Sequence, residues 1–161
     1  MNSHLTAISR KTLPVPTRWL LSQGMIHGHV LDYGCGRCAE INQTMLRWRL
    51  PEVKSVTSYD PHYEPLAFAV SPRLKWDVII CNYVLCTLPQ KQELEVLWEI
   101  QRRLTKQGVA YITVRNDMPR NGYGVSSKGT FQRKVELPFL SLLRECRQYR
   151  IYLLTSESNL V

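Results

Sequence analysis

Short apolar runs alternate with segments of helical periodicity along most of this chain. Runs of apolar residues bounded by polar ones predict four buried strands, at residues 30–32, 55–60, 77–83 and 109–114. The centre of the 77–83 run is free of charged residues, which is typical of a strand covered on both faces of its sheet. The pattern therefore predicts a buried central sheet.

Apolar residues at helical spacing predict helices between these strands. A short helix is expected at 17–23, and a second begins at Ala39 and ends before Pro51. The clearest helix runs from Pro89 to about Lys106, with an apolar stripe at Leu94, Leu97, Ile100 and Leu104. The alternation of strand and helix predicts an α/β fold with a doubly wound, mostly parallel sheet and right-handed crossovers.

The C-terminal part of the chain is less regular. Residues 116–129 lack apolar periodicity and predict a loop of about fourteen residues, a length typical of functional or mobile loops. After this loop we expect a strand within 130–137, a short helix near 139–146 and a final strand at 149–155, which reads YRIYLLT.

Length and composition set the class of protein. The 161 residues suffice for one domain, which we expect to span 1–161, with residues 1–14 as an extended basic arm. No apolar run approaches the roughly 18 residues of a membrane span, and the first residues lack the apolar segment of a signal peptide. We therefore expect a cytoplasmic protein without a membrane partner, and the odd number of cysteines, five, fits free thiols in a reducing compartment.

The net charge of +8 is concentrated towards the two ends of the chain. Residues 1–19 contain three basic residues and no acidic one, and residues 115–150 contain eight basic and three acidic residues. This distribution suits a polyanionic partner such as DNA or RNA. A solvated surface that is kept soluble by its charge explains it equally well.

The first predicted strand ends in an acid followed by two glycines, Asp32, Gly34 and Gly36. A strand, a Gly-x-Gly turn and a helix N-terminus form a cradle for a phosphate or a nucleoside. A carboxylate at this position would repel phosphate but could pair with an ammonium group, which favours S-adenosylmethionine as the cofactor. Asp60 ends the next strand, where a carboxylate can accept hydrogen bonds from both ribose hydroxyls.

Four segments resemble successive motifs of the class I S-adenosylmethionine-dependent methyltransferase family: VLDYGCGRC, SYDPHY, DVIICNYVL and GVAYITVR, within roughly residues 28–115. The segments LDYGCGR, YDPHY, NYVL, VRND and GTFQR are similar, more specifically, to small bacterial and phage methyltransferase-domain proteins of the DNA phosphorothioation-associated type. The resemblance implies a Rossmann-like fold with a seven-stranded sheet that binds cofactor at the carboxyl ends of its first strands.

Carried over to this sequence, the resemblance assigns cofactor contacts to six residues. Asp32, Gly34 and Gly36 would line the methionine portion, and the ribose, adenine and remaining contacts would fall to Asp60, Pro61 and Asn82. The sequence departs from the family in having Cys38 where a glycine is expected. Only about sixteen residues separate Asp60 from Asp77, so the third strand and its adenine-contacting acid are expected to be shortened or missing.

The predicted reaction is methyl transfer to a nucleic acid. Asn82, Tyr83 and Asp117 are the candidates to orient or deprotonate the acceptor. The long loop and its flanks supply candidate substrate-binding residues for a lid over an anionic substrate: Arg115, Arg120, Tyr123 and Lys128. Two alternatives stay open: an inactive domain that binds nucleic acid or protein and keeps a relic nucleoside pocket, and a methyltransferase for small molecules.

Cys35 and Cys38 have the spacing of a redox pair or of half a zinc site. A zinc site needs two further ligands at suitable spacing, and Cys81 and Cys86 are poorly placed for this because they straddle a strand end. We therefore predict no metal site and expect Cys35 and Cys38 to pack at a tight turn.

Overall fold

A computed structural model describes residues 3–49, 51–65, 73–119, 122–125 and 129–160. The helices are α1 (Val15–Ser22), α2 (Ala39–Arg49) and α3 (Glu93–Arg102). The strands are β1 (Gly28–Tyr33), β2 (Val53–Tyr59), β3 (Trp76–Asn82), β4 (Leu104–Arg115), β5 (Tyr123–Val125), β6 (Phe131–Arg133), β7 (Ser141–Glu145) and β8 (Tyr149–Thr155). Arg120 and Lys128, two of the predicted substrate-binding residues, lie outside the described residues.

Six of the strands form one sheet in the order β2-β1-β3-β4-β8-β7. The first four strands in this order run parallel, whereas β8 is antiparallel to β4 and β7 is antiparallel to β8. In register, Asp32 of β1 lies between Ser58 of β2 and Ile80 of β3. The carboxyl ends of β1, β2 and β3 therefore meet at one edge of the sheet, as the α/β pattern predicts.

Both faces of the sheet are covered by helices. Successive side chains of a strand point to opposite faces, and the side chains of β3 from Val78 to Cys81 alternate between two buried clusters accordingly. Leu97 of α3 lies in the cluster that contains Ile79, whereas Leu20 of α1 lies with Ile80 in the other cluster. Each such fully buried aliphatic side chain contributes about 1.5–3 kcal/mol of burial free energy. This arrangement confirms the predicted mostly parallel α/β sheet.

Within the described part of the chain the sheet has six strands, where the resemblance implies seven. Among the described residues no strand lies between β2 and β3, and β2 pairs only with β1 at the edge of the sheet. This agrees with the short sequence interval between Asp60 and Asp77, which is too short to hold another strand and its flanking helices.

The predicted helix at 139–146 is wrong, because the structure has strand β7 there. Leu142 pairs with Tyr152, and Glu145 pairs with Arg150, so β7 and β8 form an antiparallel hairpin at the sheet edge. The backbone hydrogen bonds of β7 are made to a neighbouring strand, and apolar spacing within one segment does not reveal such a partner.

The third helix is shorter than the predicted span from Pro89 to Lys106. A 3-10 turn precedes α3, and the backbone carbonyl of Arg103 accepts a 2.8 Å hydrogen bond from the Trp76 amide. Leu104 then pairs with Trp76 in the sheet. Leu104, expected in the helical stripe, is therefore buried as the first residue of β4.

Two further segments differ from the sequence expectations. The predicted loop at 116–129 contains β5, which forms an antiparallel hairpin with β6, and the strand expected within 130–137 is limited to Phe131–Arg133. The arm is not fully extended, because Ser3–Thr6 form a 3-10 turn. Within the described residues, no helix has both the length and the apolar character needed to cross a bilayer.

Candidate functional site

A cavity of about 740 Å³ lies at the carboxyl ends of β1, β2 and β3. Small-molecule sites typically occupy about 300–1,000 Å³, so its volume suits a nucleoside-sized ligand. Its walls include four segments that are far apart in sequence: the turn after β1, the start of the segment after β2, the end of β3, and residues between 4 and 10 of the arm.

The turn after β1 depends on its two glycines. Gly34 and Gly36 have φ values of +75° and +57°, in the left-handed region that favours glycine. A Cβ on Gly34 would lie 2.2 Å from Cγ2 of Val84, so a side chain has no room there. The Gly34 amide donates a 2.7 Å hydrogen bond to the carbonyl of Tyr59, which ties the turn to the end of β2.

Asp32 is a buried acid in the cavity wall. Its side chain is 4% exposed, and Nδ2 of Asn42, on α2, donates a 2.6 Å hydrogen bond to its Oδ2. Burial is the main cause that raises the pKa of Asp32 to about 6; the hydrogen bond from Asn42 opposes this rise, and the negative charge of Asp60 adds to it. A buried carboxylate in this setting is stabilised by a cation, because the electrostatic cost of its charge is then offset.

Asp60 organises the backbone around the cavity. Its Oδ2 accepts a 3.1 Å hydrogen bond from the amide of Gly36, and its Oδ1 accepts from the amides of His62 and Tyr63 at 2.9 and 3.1 Å. The carboxylate therefore joins the glycine turn to the turn after β2. These amides occupy both lone pairs of Oδ1 and one of Oδ2, so Oδ2 can still accept a hydrogen bond from a ligand.

Two asparagines in the cavity wall have an unsatisfied amide oxygen. Among the described residues, Oδ1 of Asn42 and Oδ1 of Asn82 are buried without a hydrogen-bond partner, while Nδ2 of Asn82 donates to Oγ1 of Thr17 at 2.8 Å. The carboxylate of Asp32 requires the amide nitrogen of Asn42 on its side, which sets the orientation of that side chain. Sequence reasoning missed Asn42, although its place in the first turn of the helix after Gly36 was a usable signal.

Tyr83 has an unusual backbone at the end of β3. Its φ is 62°, a left-handed conformation that is rare for a residue with a side chain, and its amide donates a 2.8 Å hydrogen bond to the carbonyl of Thr113. Burial raises the pKa of Tyr83 to about 12, although the nearby charge of Arg10 acts in the opposite direction. The phenol therefore keeps its proton at neutral pH.

Arg115 and Asp117 form an ion pair in the cavity wall. Nε of Arg115 lies 2.8 Å from Oδ1 of Asp117, and Nη1 of Arg115 also donates to Gln132. The hydrogen bond from Arg115 lowers the pKa of Asp117 below its usual value, so the carboxylate is a weak base. The guanidinium is already engaged by protein groups.

The cavity brings together most of the residues that the sequence singled out: Asp32, Gly34, Gly36, Asp60, Pro61, Asn82, Tyr83, Arg115 and Asp117. Tyr123 does not line it, since this residue is 56% exposed on β5 and its ring packs beside Phe131. The sequence predicts an extended basic arm within the single domain, and it does not indicate that this arm lines the cavity.

The two cysteines of the turn pack as expected. Cys35 and Cys38 are buried free thiols, and burial raises the pKa of Cys35, so this thiol stays protonated. Sγ of Cys38 donates a 3.2 Å hydrogen bond to the carbonyl of Ile8 and accepts one of 3.3 Å from the amide of Arg10. No cluster of three metal-ligating side chains occurs in the part of the chain that the structure describes.

Comparisons with known proteins rest on structure. No protein-family model matches the chain, and no curated protein matches it by sequence. The fold resembles the 1,6-didemethyltoxoflavin-N1-methyltransferase of Burkholderia thailandensis, solved with 1,6-didemethyltoxoflavin and S-adenosylhomocysteine, with TM-score 0.60, 16% identity, and coverage of 86% of this chain and 76% of that one. It also resembles DhpI in complex with SAH, with TM-score 0.57, 15% identity, and coverage of 84% and 80%.

A third similar structure is CalO1, a methyltransferase of calicheamicin biosynthesis in its SAH-bound form, with TM-score 0.52 and 16% identity. The match covers 79% of this chain and 48% of CalO1. Identities of this size establish the likeness of fold alone. The chain therefore has the Rossmann-like fold of these three structures.

Proposed function

We propose that this protein is an S-adenosylmethionine-dependent methyltransferase. The observation that carries the proposal is the cavity in which Asp32, the turn through Gly34 and Gly36, and Asp60 meet at neighbouring strand ends. The bound SAH or S-adenosylhomocysteine of the similarly folded proteins supports it.

The chemistry of the cavity fits this cofactor. S-adenosylmethionine carries a sulfonium and an ammonium group, and its ribose hydroxyls are hydrogen-bond donors. The cavity offers acceptors that these groups require in the carboxylates of Asp32 and Asp60. In our proposal Asp32 and the glycine turn hold the methionine portion, Asp60 holds the ribose, and Pro61 lies beside the adenine.

The cofactor would supply an activated methyl group, and the chain would position the acceptor. In-line transfer depends on the alignment of nucleophile and methyl group, so correct placement provides much of the rate. Tyr83 keeps its proton and Asp117 is held in an ion pair, so in our proposal both orient the acceptor and do not deprotonate it.

Nucleic acid remains our prediction for the acceptor, because the charge of +8 suits a polyanion. One of the similar structures is named for methylating a small molecule, 1,6-didemethyltoxoflavin, which makes a small acceptor the competing hypothesis. The narrower resemblance to DNA phosphorothioation-associated proteins finds no support among the similar structures and stays a prediction.

The proposed function is tested in two steps. Isothermal titration with S-adenosylhomocysteine should show one saturable site, and the absence of binding would reject the proposal. Incubation with methyl-labelled S-adenosylmethionine and separated DNA, RNA, protein and metabolite fractions of a cell extract should then label one fraction. Label in the metabolite fraction alone would reject the nucleic-acid acceptor while keeping the methyltransferase.

A second candidate is a domain that binds nucleic acid or protein and no longer catalyses transfer. The ion pair at Asp117 and the protonated phenol of Tyr83 favour it, because neither group is poised to accept a proton. Electrophoretic mobility shifts that are indifferent to cofactor, together with no labelled product in any fraction, would support this candidate over the first.

A further inference from the structure

The arm is fastened to the cavity at two points. The Cys38 thiol bridges the Ile8 carbonyl and the Arg10 amide, and the hydroxyl of Tyr63 donates a 3.2 Å hydrogen bond to the carbonyl of His4. The His4 and His62 rings stack with centroids 4.1 Å apart. These contacts hold the arm as one wall of the cavity, so its side chains are in place to meet a ligand.

Arg10 differs from Arg115, another arginine of the cavity wall. Arg115 is paired with Asp117, whereas the guanidinium of Arg10 forms no ion pair or hydrogen bond with the residues that the structure describes. Arg10 is half-buried in the wall, and its charge acts on the phenol of Tyr83. A partly desolvated guanidinium without an anion is unfavourable, and an oxyanion that enters the cavity would remove that cost.

We propose that Arg10 is an oxyanion-binding residue of this cavity. A guanidinium binds carboxylate or phosphate through two parallel hydrogen bonds, which gives direction as well as charge complementarity. The two candidate sources of the oxyanion rest on the proposed function: they are the carboxylate of the cofactor's methionine portion and an anionic group of the acceptor. The binding of an oxyanion by Arg10 itself does not depend on methyl transfer.

Lys11 provides a matched control for this proposal. It is the next residue of the same arm, carries the same charge, and is exposed without lining the cavity. Arg10→Gln and Lys11→Gln therefore change the net charge equally. If Arg10 were only a solvated surface cation, the two variants would behave alike.

The first experiment compares two cofactor-like probes by calorimetry. S-adenosylhomocysteine carries the amino-acid portion, and 5′-methylthioadenosine lacks it. If the cofactor carboxylate is the oxyanion, Arg10→Gln lowers the affinity for S-adenosylhomocysteine by about 10- to 100-fold, the range expected for loss of a charged hydrogen bond. The affinity for 5′-methylthioadenosine should not change. Arg10→Lys should keep part of the affinity, and Lys11→Gln all of it.

In the second experiment, inorganic phosphate is titrated into the protein saturated with S-adenosylhomocysteine. NMR signals of the arginine Nε–H groups monitor this titration. If the acceptor carries the oxyanion, the Arg10 signal shifts in a saturable manner, and Arg10→Gln abolishes phosphate binding while Lys11→Gln does not. Equal behaviour of Arg10→Gln and Lys11→Gln with all three probes would overturn the proposal.

The two proposals can fail separately. If the wild-type protein does not bind S-adenosylhomocysteine, the proposed function is lost, and the phosphate titration is then made on the ligand-free protein. Saturable phosphate binding at Arg10 would still support the oxyanion site, and its absence there would overturn it. Circular dichroism and thermal unfolding of each variant confirm that the fold is retained.

Discussion

Replacement of Gly34 by alanine tests whether the turn after β1 is shaped by steric necessity. Two costs are combined at this position. The φ of +75° places an alanine in the left-handed region, and the new Cβ would lie 2.2 Å from Cγ2 of Val84. The first cost arises at any such position, whereas the second belongs to this close approach.

Gly24 separates the two costs, because it has a φ of +67° and a Cβ there would meet nothing within 4 Å. We expect Gly24→Ala to lower the free energy of unfolding by about 1 kcal/mol, which is the left-handed penalty less the stabilisation from the lower conformational entropy of the unfolded chain. Gly34→Ala should cost about 1–3 kcal/mol more, since Val84 must move by over an ångström in a packed environment.

Urea unfolding followed by circular dichroism measures both variants and the double variant Gly34→Ala/Val84→Ala. Val84→Ala removes Cγ2, so it should relieve the steric part of the stability loss caused by Gly34→Ala and leave the backbone part. Once the effect of Val84→Ala alone is subtracted, the double variant should lose about as much free energy of unfolding as Gly24→Ala. The affinity for S-adenosylhomocysteine should likewise fall more in Gly34→Ala than in Gly24→Ala and recover in part in the double variant. Equal stability of Gly34→Ala and Gly24→Ala, or no rescue by Val84→Ala, would refute the reasoning.

Three further predictions concern charged groups. The pKa of Asp32 is raised to about 6 in the fold, so its buried carboxyl does not destabilise the protein below about pH 4, where it is protonated, and lowers the free energy of unfolding progressively as pH rises through 6. Urea unfolding at each pH should show that Asp32→Asn gains about 3 kcal/mol of stability relative to wild type between pH 4 and 7. The same variant should bind S-adenosylhomocysteine more weakly. Asp60→Ala removes the acceptor of three backbone amides and should lower the affinity for S-adenosylhomocysteine, measured by calorimetry, by at least about tenfold. An unchanged affinity would reject our site assignment. Arg133 and Glu93 form a buried ion pair, so Glu93→Gln should lower the free energy of unfolding by about 3–5 kcal/mol in the same urea assay, and a loss below 1 kcal/mol would contradict this estimate.

Features that arise from neighbouring residues could be predicted from the sequence. The strand at 149–155 has the predicted bounds, and α1 and β3 lie within two residues of theirs. The polar edge after β1 was also predictable, because Asp32, Gly34 and Gly36 are adjacent in the chain and their spacing encodes a strand followed by a tight turn. The meeting of Asp32 and Asp60 followed from parallel strands, whose carboxyl ends share one edge.

Features that depend on distant partners were not predictable in this way. The segment at 139–146 has an apolar pattern compatible with a helix, and its pairing with β8 makes it a strand. The bond from Asn42 to Asp32 and the ion pair of Arg115 with Asp117 depend on side-chain directions that spacing does not specify.

The sequence by itself determined the alternating α/β pattern and the acid followed by glycines at a strand end, since both are local consequences of hydrophobic periodicity and backbone freedom. Only the tertiary structure decided that the arm forms a wall of the cavity. That wall depends on Cys38 and Tyr63 holding residues about thirty and about sixty positions away. Contacts over such separations are set by packing of the whole chain, and no local pattern records them.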